Sequence, residues 1–187
     1  MKILKEFTNQ AKTYAAKAQP LEGVEVLELK SWNDERGFFL ELERQEVTDP
    51  KNVYQKALAA FWQKIDLKKA QWSLSQVDRS DYIKGLHYHL EQTDIWFCPP
   101  PSKLKVVLFD VRSDSKTAGM TQTVILGAGH PCLLKIPAGV AHGYRTLTAS
   151  ANLLYCTTRT FNPVKPDEYR IAWDHAKVRK LWELKQD

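Results

Sequence analysis

Two short stretches concentrate the residues that can do chemistry. "KGLHYHLEQTD", Lys84 to Asp94, spaces His87, His89 and Glu91 two residues apart. "IPAGVAHGYRTL", Ile136 to Leu147, places His142 just after a Pro137–Gly139 turn. On a strand, residues two apart point to one face, so His87, His89 and Glu91 can share a cavity wall. Two chemistries are open to such a set. Three neutral imidazoles and a carboxylate suit Fe, Mn, Ni or Zn. Alternatively, a histidine whose ordinary pKa lies near neutrality works as a general base with no metal. A lone histidine is commonly structural, but two of them in glycine-flanked strand segments point to a site.

The elements that would position these residues are legible in outline. Glu6 to Lys17 reads as a short helix ended by Pro20. Val24 to Leu29 alternates apolar and polar residues and reads as a strand. Asp34 to Glu43 begins with a turn and continues as a second strand. Val53 to Ala70 has helical apolar spacing, with a mixed helix and strand as the alternative. After Ala70 the texture changes to short apolar runs broken by Pro, Gly, Asp and Ser. "QWSLSQV", "KLKVVLFDVR", "MTQTVILG", "PCLLKIP" and "ANLLYCTTRTF" all read as strands. Their spacing suits a β-sandwich or barrel rather than βαβ units. Such a fold brings His87 and His142 to one cavity. The tail, Trp173 to Lys185, reads as a short helix with Trp and Leu anchors.

Composition narrows the classes. The chain has 187 residues, a length that favours one domain, with an N-terminal extension over about 1–22 and a C-terminal tail over about 173–187. The net charge of +5 is spread out, and no Lys/Arg block reaches the density of a nucleic-acid arm. It remains compatible with a basic pocket for an anionic ligand. Cys98, Cys132 and Cys156 are odd in number, lack zinc-finger spacing and sit among apolar residues. They read as free thiols of a reducing cytoplasm. No segment approaches the length of a membrane span.

A resemblance now enters on seven segments in order. "DERGFFLE", "QWSLS", "KGLHYH", "FDVRSDSKTAG", "IPAGVAHGYRTL", "LLYCTTRTFNP" and "RIAWDH" are similar to the motifs of the dTDP-4-dehydrorhamnose 3,5-epimerase family. The likeness runs from about Val24 to Asp174. It implies an all-β fold, a cupin-type jelly roll with short helical additions, and a homodimer. It also implies epimerisation of a nucleotide-linked 4-keto-6-deoxy sugar, with dTDP as the nucleotide and no cofactor or metal. In that family a base removes a proton next to the ketone and an acid returns one to the opposite face. The matching base is His87 and the matching acid Tyr155. Arg36, Phe39, Glu41, Gln71, Lys84, His89, Asp94 and His142 fall at substrate-binding positions. Asp187 is the only candidate for the late aspartate that orients the base.

The chain also departs from the family. Lys84 replaces an arginine and loses its bidentate fork. Asp94 stands where the family has a lysine that stabilises the enolate, Ser73 replaces an asparagine, and Asp187 ends the chain. These departures favour a related activity, at one carbon only or on another nucleotide-linked keto sugar. Two alternatives stay open. One is a metal-dependent cupin enzyme using His87, His89, Glu91 and His142. The other is a non-catalytic sugar-nucleotide-binding relative.

Overall fold

Apolar–polar alternation is strongest after Ala70, and there the chain folds into a run of antiparallel strands. The computed structural model describes residues 20–184. The helix expected over Glu6–Lys17 and the terminal Asp187 lie outside the described residues.

In chain order the strands are β1 (Glu25–Glu28), β2 (Ser31–Asp34), β3 (Gly37–Leu40), β4 (Gln71–Val77), β5 (Ile83–Tyr88) and β6 (Asp94–Phe97). They continue with β7 (Lys103–Asp110), β8 (Thr121–Gly127), β9 (Cys132–Ile136), β10 (Val140–Thr146), β11 (Ala151–Thr157) and β12 (Tyr169–Arg170). Helix α1 spans Val53–Trp62, and a 3₁₀ turn spans Arg179–Trp182. One five-stranded sheet has the order β1-β9-β6-β11-β4 and the other β12-β5-β10-β7-β8. All their pairings are antiparallel. The expected all-β jelly roll is the fold.

The core lies between the sheets. Leu104, Val106, Leu108 and Val124 from one sheet meet Trp96, Leu134, Ile136 and Leu153 from the other. The outer faces are covered as well. Leu58, Phe61 and Trp62 of α1 pack on Ile95, Phe97, Leu133 and Cys156. Val178 and Trp182 of the C-terminal turn pack on Leu86, Val107 and Ala141. Double-sided burial explains why all four residues of β6 are inside. Asp94 and Trp96 point between the sheets, and Ile95 and Phe97 point to α1.

Several elements differ from the sequence reading. The run from Asp34 is a turn followed by a strand, as expected, but the strand ends at Leu40 rather than Glu43 and forms a hairpin with an unforeseen strand, β2. The hairpin pairs with neither large sheet. The helix stops at Trp62 rather than Ala70. Beyond it Ile65 N–H bonds back to the Trp62 carbonyl, and Ile65, Leu67 and Ala70 join the outer cluster from a turn. Apolar spacing alone does not separate those two geometries. The three cysteines are free and buried, and burial pushes the thiols of Cys98 and Cys132 up to about 12. They are inert as nucleophiles at neutral pH.

The "FDVRSDSKTAG" turn is built around Asp110, which is fully buried. Its carboxylate accepts from Arg112 Nε and Nη2 at 2.8 Å each, and from Ser115 and Thr117 hydroxyls at 2.6 Å. Burial alone would raise this carboxyl, but those donors outweigh it and hold it well below its ordinary value. A depressed folded-state pKa contributes stability that is present above the unfolded value of about 3.9 and lost as pH falls toward the folded one. Wild-type unfolding free energy is therefore expected to drop steeply below about pH 4. Asp110→Asn will flatten that slope in urea titrations between about pH 4 and 2. An unchanged slope would assign the acid sensitivity to other carboxylates.

Candidate active site

A cavity of about 1580 Å³ opens between the sheets and is walled by both. From the second sheet β5 contributes Lys84 and His87. From the first, β4 contributes Gln71, β6 contributes Asp94, and β11 contributes Tyr155. His89, just past β5, completes the set.

Lys84 and His87 are three apart, so a regular strand would point them to opposite faces. The pairing of β5 with β10 shows why both face the cavity. His142 is opposite His87, yet Tyr144 is opposite Lys84. Strand β5 therefore carries one residue more between these pairs, a bulge that re-aims its side chains. Gly143 makes room for it. A Cβ there would sit 2.6 Å from the Lys84 carbonyl oxygen and 2.9 Å from the Gly85 carbonyl carbon. Gly143→Ala should force β5 away from β10 and cost about 1–3 kcal/mol as an overpacked contact. It should also displace His87, and a misplacement of about 1 Å costs on the order of 100-fold in rate. Thermal unfolding and turnover of the same preparation check both; retention of full activity would show that the bulge tolerates a methyl.

Behind His87 the polar groups are crowded. His87 and His142 rings are 4.3 Å apart, His87 and His89 5.2 Å, and His89 and His142 5.6 Å. Asp94 reaches toward them from the opposite sheet. Its Oδ2 lies 3.4 Å from His142 Nε2 and its Oδ1 3.8 Å from His89 Nε2. The carboxylate also accepts from Gln92 Nε2 at 2.7 Å and Trp96 Nε1 at 3.2 Å. Burial raises the Asp94 carboxyl, but His142, His89 and Gln92 prevail and hold it below its usual range. His87 is held well below the usual histidine value, first by burial and then by His142, with Asp94 acting in the opposite direction. It is neutral at pH 7, the form able to accept a proton.

Several sequence expectations are redistributed. His142 is 1% exposed and backs His87 rather than lining the cavity. Glu91 does not join the histidines; it is exposed and ion-pairs with Arg159. Asp94 takes the place that the metal alternative gave to Glu91. The reason is the chain path: strand β5 ends at Tyr88, so the alternation that would have aimed Glu91 inward no longer applies. Arg36, Phe39 and Glu41 do not line this cavity either. Arg36 pairs with Asp34, Phe39 is exposed and Glu41 pairs with Arg44 at 2.7 Å. Gln71 lines the wall and accepts from Phe161 N–H at 3.0 Å, pinning the loop at the rim. Lys84 Nζ donates to Ser75 Oγ at 2.9 Å, bridging the two sheets.

Sequence reading missed Gln92 and Asp167. Asp167 accepts the backbone N–H groups of Leu90, Glu91 and Gln92, and its own carbonyl takes the Nδ1–H of His89. It thereby fixes the loop between β5 and β6. An aspartate after proline in "KPDEY" signals a turn but not its distant target.

The sequence matches the family model described as dTDP-4-dehydrorhamnose 3,5-epimerase over residues 18–186. It is 42% identical over 163 residues to the spore coat polysaccharide biosynthesis protein SpsL of Bacillus subtilis, covering 87% of this chain and 96% of that one. The dTDP-4-dehydrorhamnose 3,5-epimerase of Bacillus anthracis, solved with TDP and PPi bound, superposes with a TM-score of 0.71 at 23% identity, over 88% and 87% of the two chains. The Legionella pneumophila enzyme, solved with dTDP-4-keto-L-rhamnose, gives a TM-score of 0.64 at 27% identity, over 83% and 76%. The jelly roll, the relatives' identity and a family match over nearly the whole length agree: this chain belongs to the dTDP-4-dehydrorhamnose 3,5-epimerase family.

Proposed function

We propose that the protein epimerises a dTDP-linked 4-keto-6-deoxyhexose at a carbon next to the ketone. The observation that carries this reading is the placement of His87 and Tyr155 on opposite sheets across one cavity. An inversion needs a base on one face of the carbon and an acid on the other.

The steps balance without a redox partner. His87 takes the proton from the carbon adjacent to C4. The C–H electron pair moves into the carbon–carbon bond, and the carbonyl pair moves onto the C4 oxygen, giving an enolate. The Tyr155 hydroxyl then delivers a proton to the opposite face as the ketone re-forms. Tyrosinate and imidazolium return to their starting states by exchange with solvent. Lys84, a cation on the same strand as His87, is the group assigned to the developing oxyanion. Lys68 and Lys165 line the cavity, and their ammonium groups form no ion pair among the described residues. They are suited to the diphosphate of the nucleotide.

A homodimer and a cytoplasmic location belong to the same reading. Strand β4 is a sheet edge that exposes Trp72 and Leu74, the latter 67% accessible. Such an apolar edge invites pairing. A second copy could supply the Arg36, Phe39 and Glu41 positions that this chain's own cavity lacks. Free buried thiols fit a reducing compartment, and no described helix is long and apolar enough to cross a membrane.

The test is deuterium wash-in. Chelator-stripped protein is incubated with dTDP-4-keto-6-deoxyglucose in D2O, and C3 and C5 are followed by NMR and mass. Label at C3, C5 or both would identify the inverted centre. An unlabelled substrate after prolonged incubation would overturn the reading.

A further inference from the structure

The cluster behind the cavity wall brings three imidazoles and one carboxylate to a single point. A backbone carbonyl only accepts, so the ring nitrogen facing it must carry hydrogen. His142 Nδ1 faces the Val140 carbonyl at 2.9 Å, and His89 Nδ1 faces the Asp167 carbonyl. Each ring, when it carries hydrogen on Nδ1 alone, turns an Nε2 lone pair toward the Asp94 carboxylate. His142 Nε2 is buried and has no hydrogen-bond partner among the described residues. At 3.4 Å and 3.8 Å the two Nε2···Oδ separations are long for hydrogen bonds.

Those separations fit something between the atoms. Nitrogen and oxygen ligands lie about 2.0–2.2 Å from a zinc-type ion, so two ligands of one ion stand roughly 3–4.4 Å apart. One ligand atom from each of His87, His89, Asp94 and His142 lies within 4.8 Å of all the others. Outer contacts already orient the set. Carbonyls hold two rings by Nδ1, and Gln92 and Trp96 hold the carboxylate, an arrangement that aims ligands at a metal. Gln92 Nε2 also stands 3.2 Å from His89 Nε2; that contact would yield to an ion while the one to Asp94 stays.

We propose that His87, His89, Asp94 and His142 form a binding site for one divalent transition-metal ion. Three imidazoles and one carboxylate select zinc, iron, cobalt or nickel over magnesium or calcium. The fold makes the site from both sheets. His87 and His142 are cross-strand partners on β5 and β10, and Asp94 comes from β6 opposite. A bound ion consumes the His87 lone pair, so loading and proton abstraction by His87 exclude each other. The site does not depend on the epimerase reading.

The test uses the full chain, stripped by chelator and titrated with Co(II). One equivalent is expected, with the intense visible absorption of a four- or five-coordinate site, and Zn(II) should displace it. Asp94→Asn and His142→Gln should each lose that spectrum while circular dichroism stays native. Gln92→Ala, which removes only an outer contact, should weaken binding by about 10–100-fold. Absence of stoichiometric binding, or a spectrum that persists in both folded ligand variants, would overturn the site. Deuterium wash-in by the same stripped protein is scored separately. Co(II) binding without wash-in would sink the epimerase reading alone, and wash-in without Co(II) binding would sink the metal site alone.

Discussion

His87→Asn will reduce deuterium exchange next to the ketone by about 10²- to 10⁴-fold, the usual contribution of a positioned general base. That corresponds to about 2.7–5.4 kcal/mol of activation free energy. Asparagine preserves the approximate size and a polar tip but cannot take a proton at neutral pH. The effect will be on kcat, because the base acts on the reacting carbon and adds little to ground-state binding. Tyr155→Phe separates the two halves of the reaction. With the phenol gone, the enolate still forms and can be reprotonated by His87 on the face it left. Label will then enter with retention, and the inverted sugar will be lost. The reverse pattern, exchange surviving in His87→Asn and vanishing in Tyr155→Phe, would exchange the two roles. Melting temperatures of both variants should stay close to wild type, since His87 lies outside the core clusters and Tyr155→Phe keeps the ring that packs on one.

The largest stability loss is expected at Trp62, far from the chemistry. Its ring is fully buried, stacks on Trp72 at 5.7 Å and meets Phe61 edge-on at 5.9 Å. Its Nε1 donates to the Leu42 carbonyl at 2.8 Å. It fixes α1 to the outer face of the sheet that carries Asp94 and Tyr155. Trp62→Ala leaves a large void and an unpaired carbonyl, and should cost about 3–5 kcal/mol. For a domain of this size that is a fall of roughly 6–20 °C in melting temperature. The folded fraction at low temperature should keep its kcat, because α1 does not line the cavity. A loss below about 1 kcal/mol would mean that neighbouring Leu58 and Phe61 collapse into the space.

These two predictions draw on different kinds of information. His87 and Tyr155, the proposed base and acid, were picked out from local motifs, and both line the cavity. The strands β4, β7, β8, β9 and β11 were legible because short apolar runs bounded by Pro, Gly, Asp and Ser are the signature of strands in a sandwich. The strand β2 that completes the hairpin, the early stop of α1 and the two-residue β12 were not. They are set by which partner each backbone group finds, and apolar spacing does not encode that.

The sequence by itself determined the class of fold and the family motifs, because these depend on residue type and short spacing. Only the tertiary structure decided which polar groups meet. Asp94 and His142 are 48 positions apart in number and come from different sheets, yet they face each other at 3.4 Å. Glu91, close in sequence to His89, turns out to solvent instead. The bulge in β5 set Lys84 beside His87, and the cap from Asp167 held the following loop, both through contacts that no local pattern contains. Proximity across a sandwich depends on sheet order and register. Those follow from the sum of many packing contacts, so the cluster became visible only once the sheets were in place.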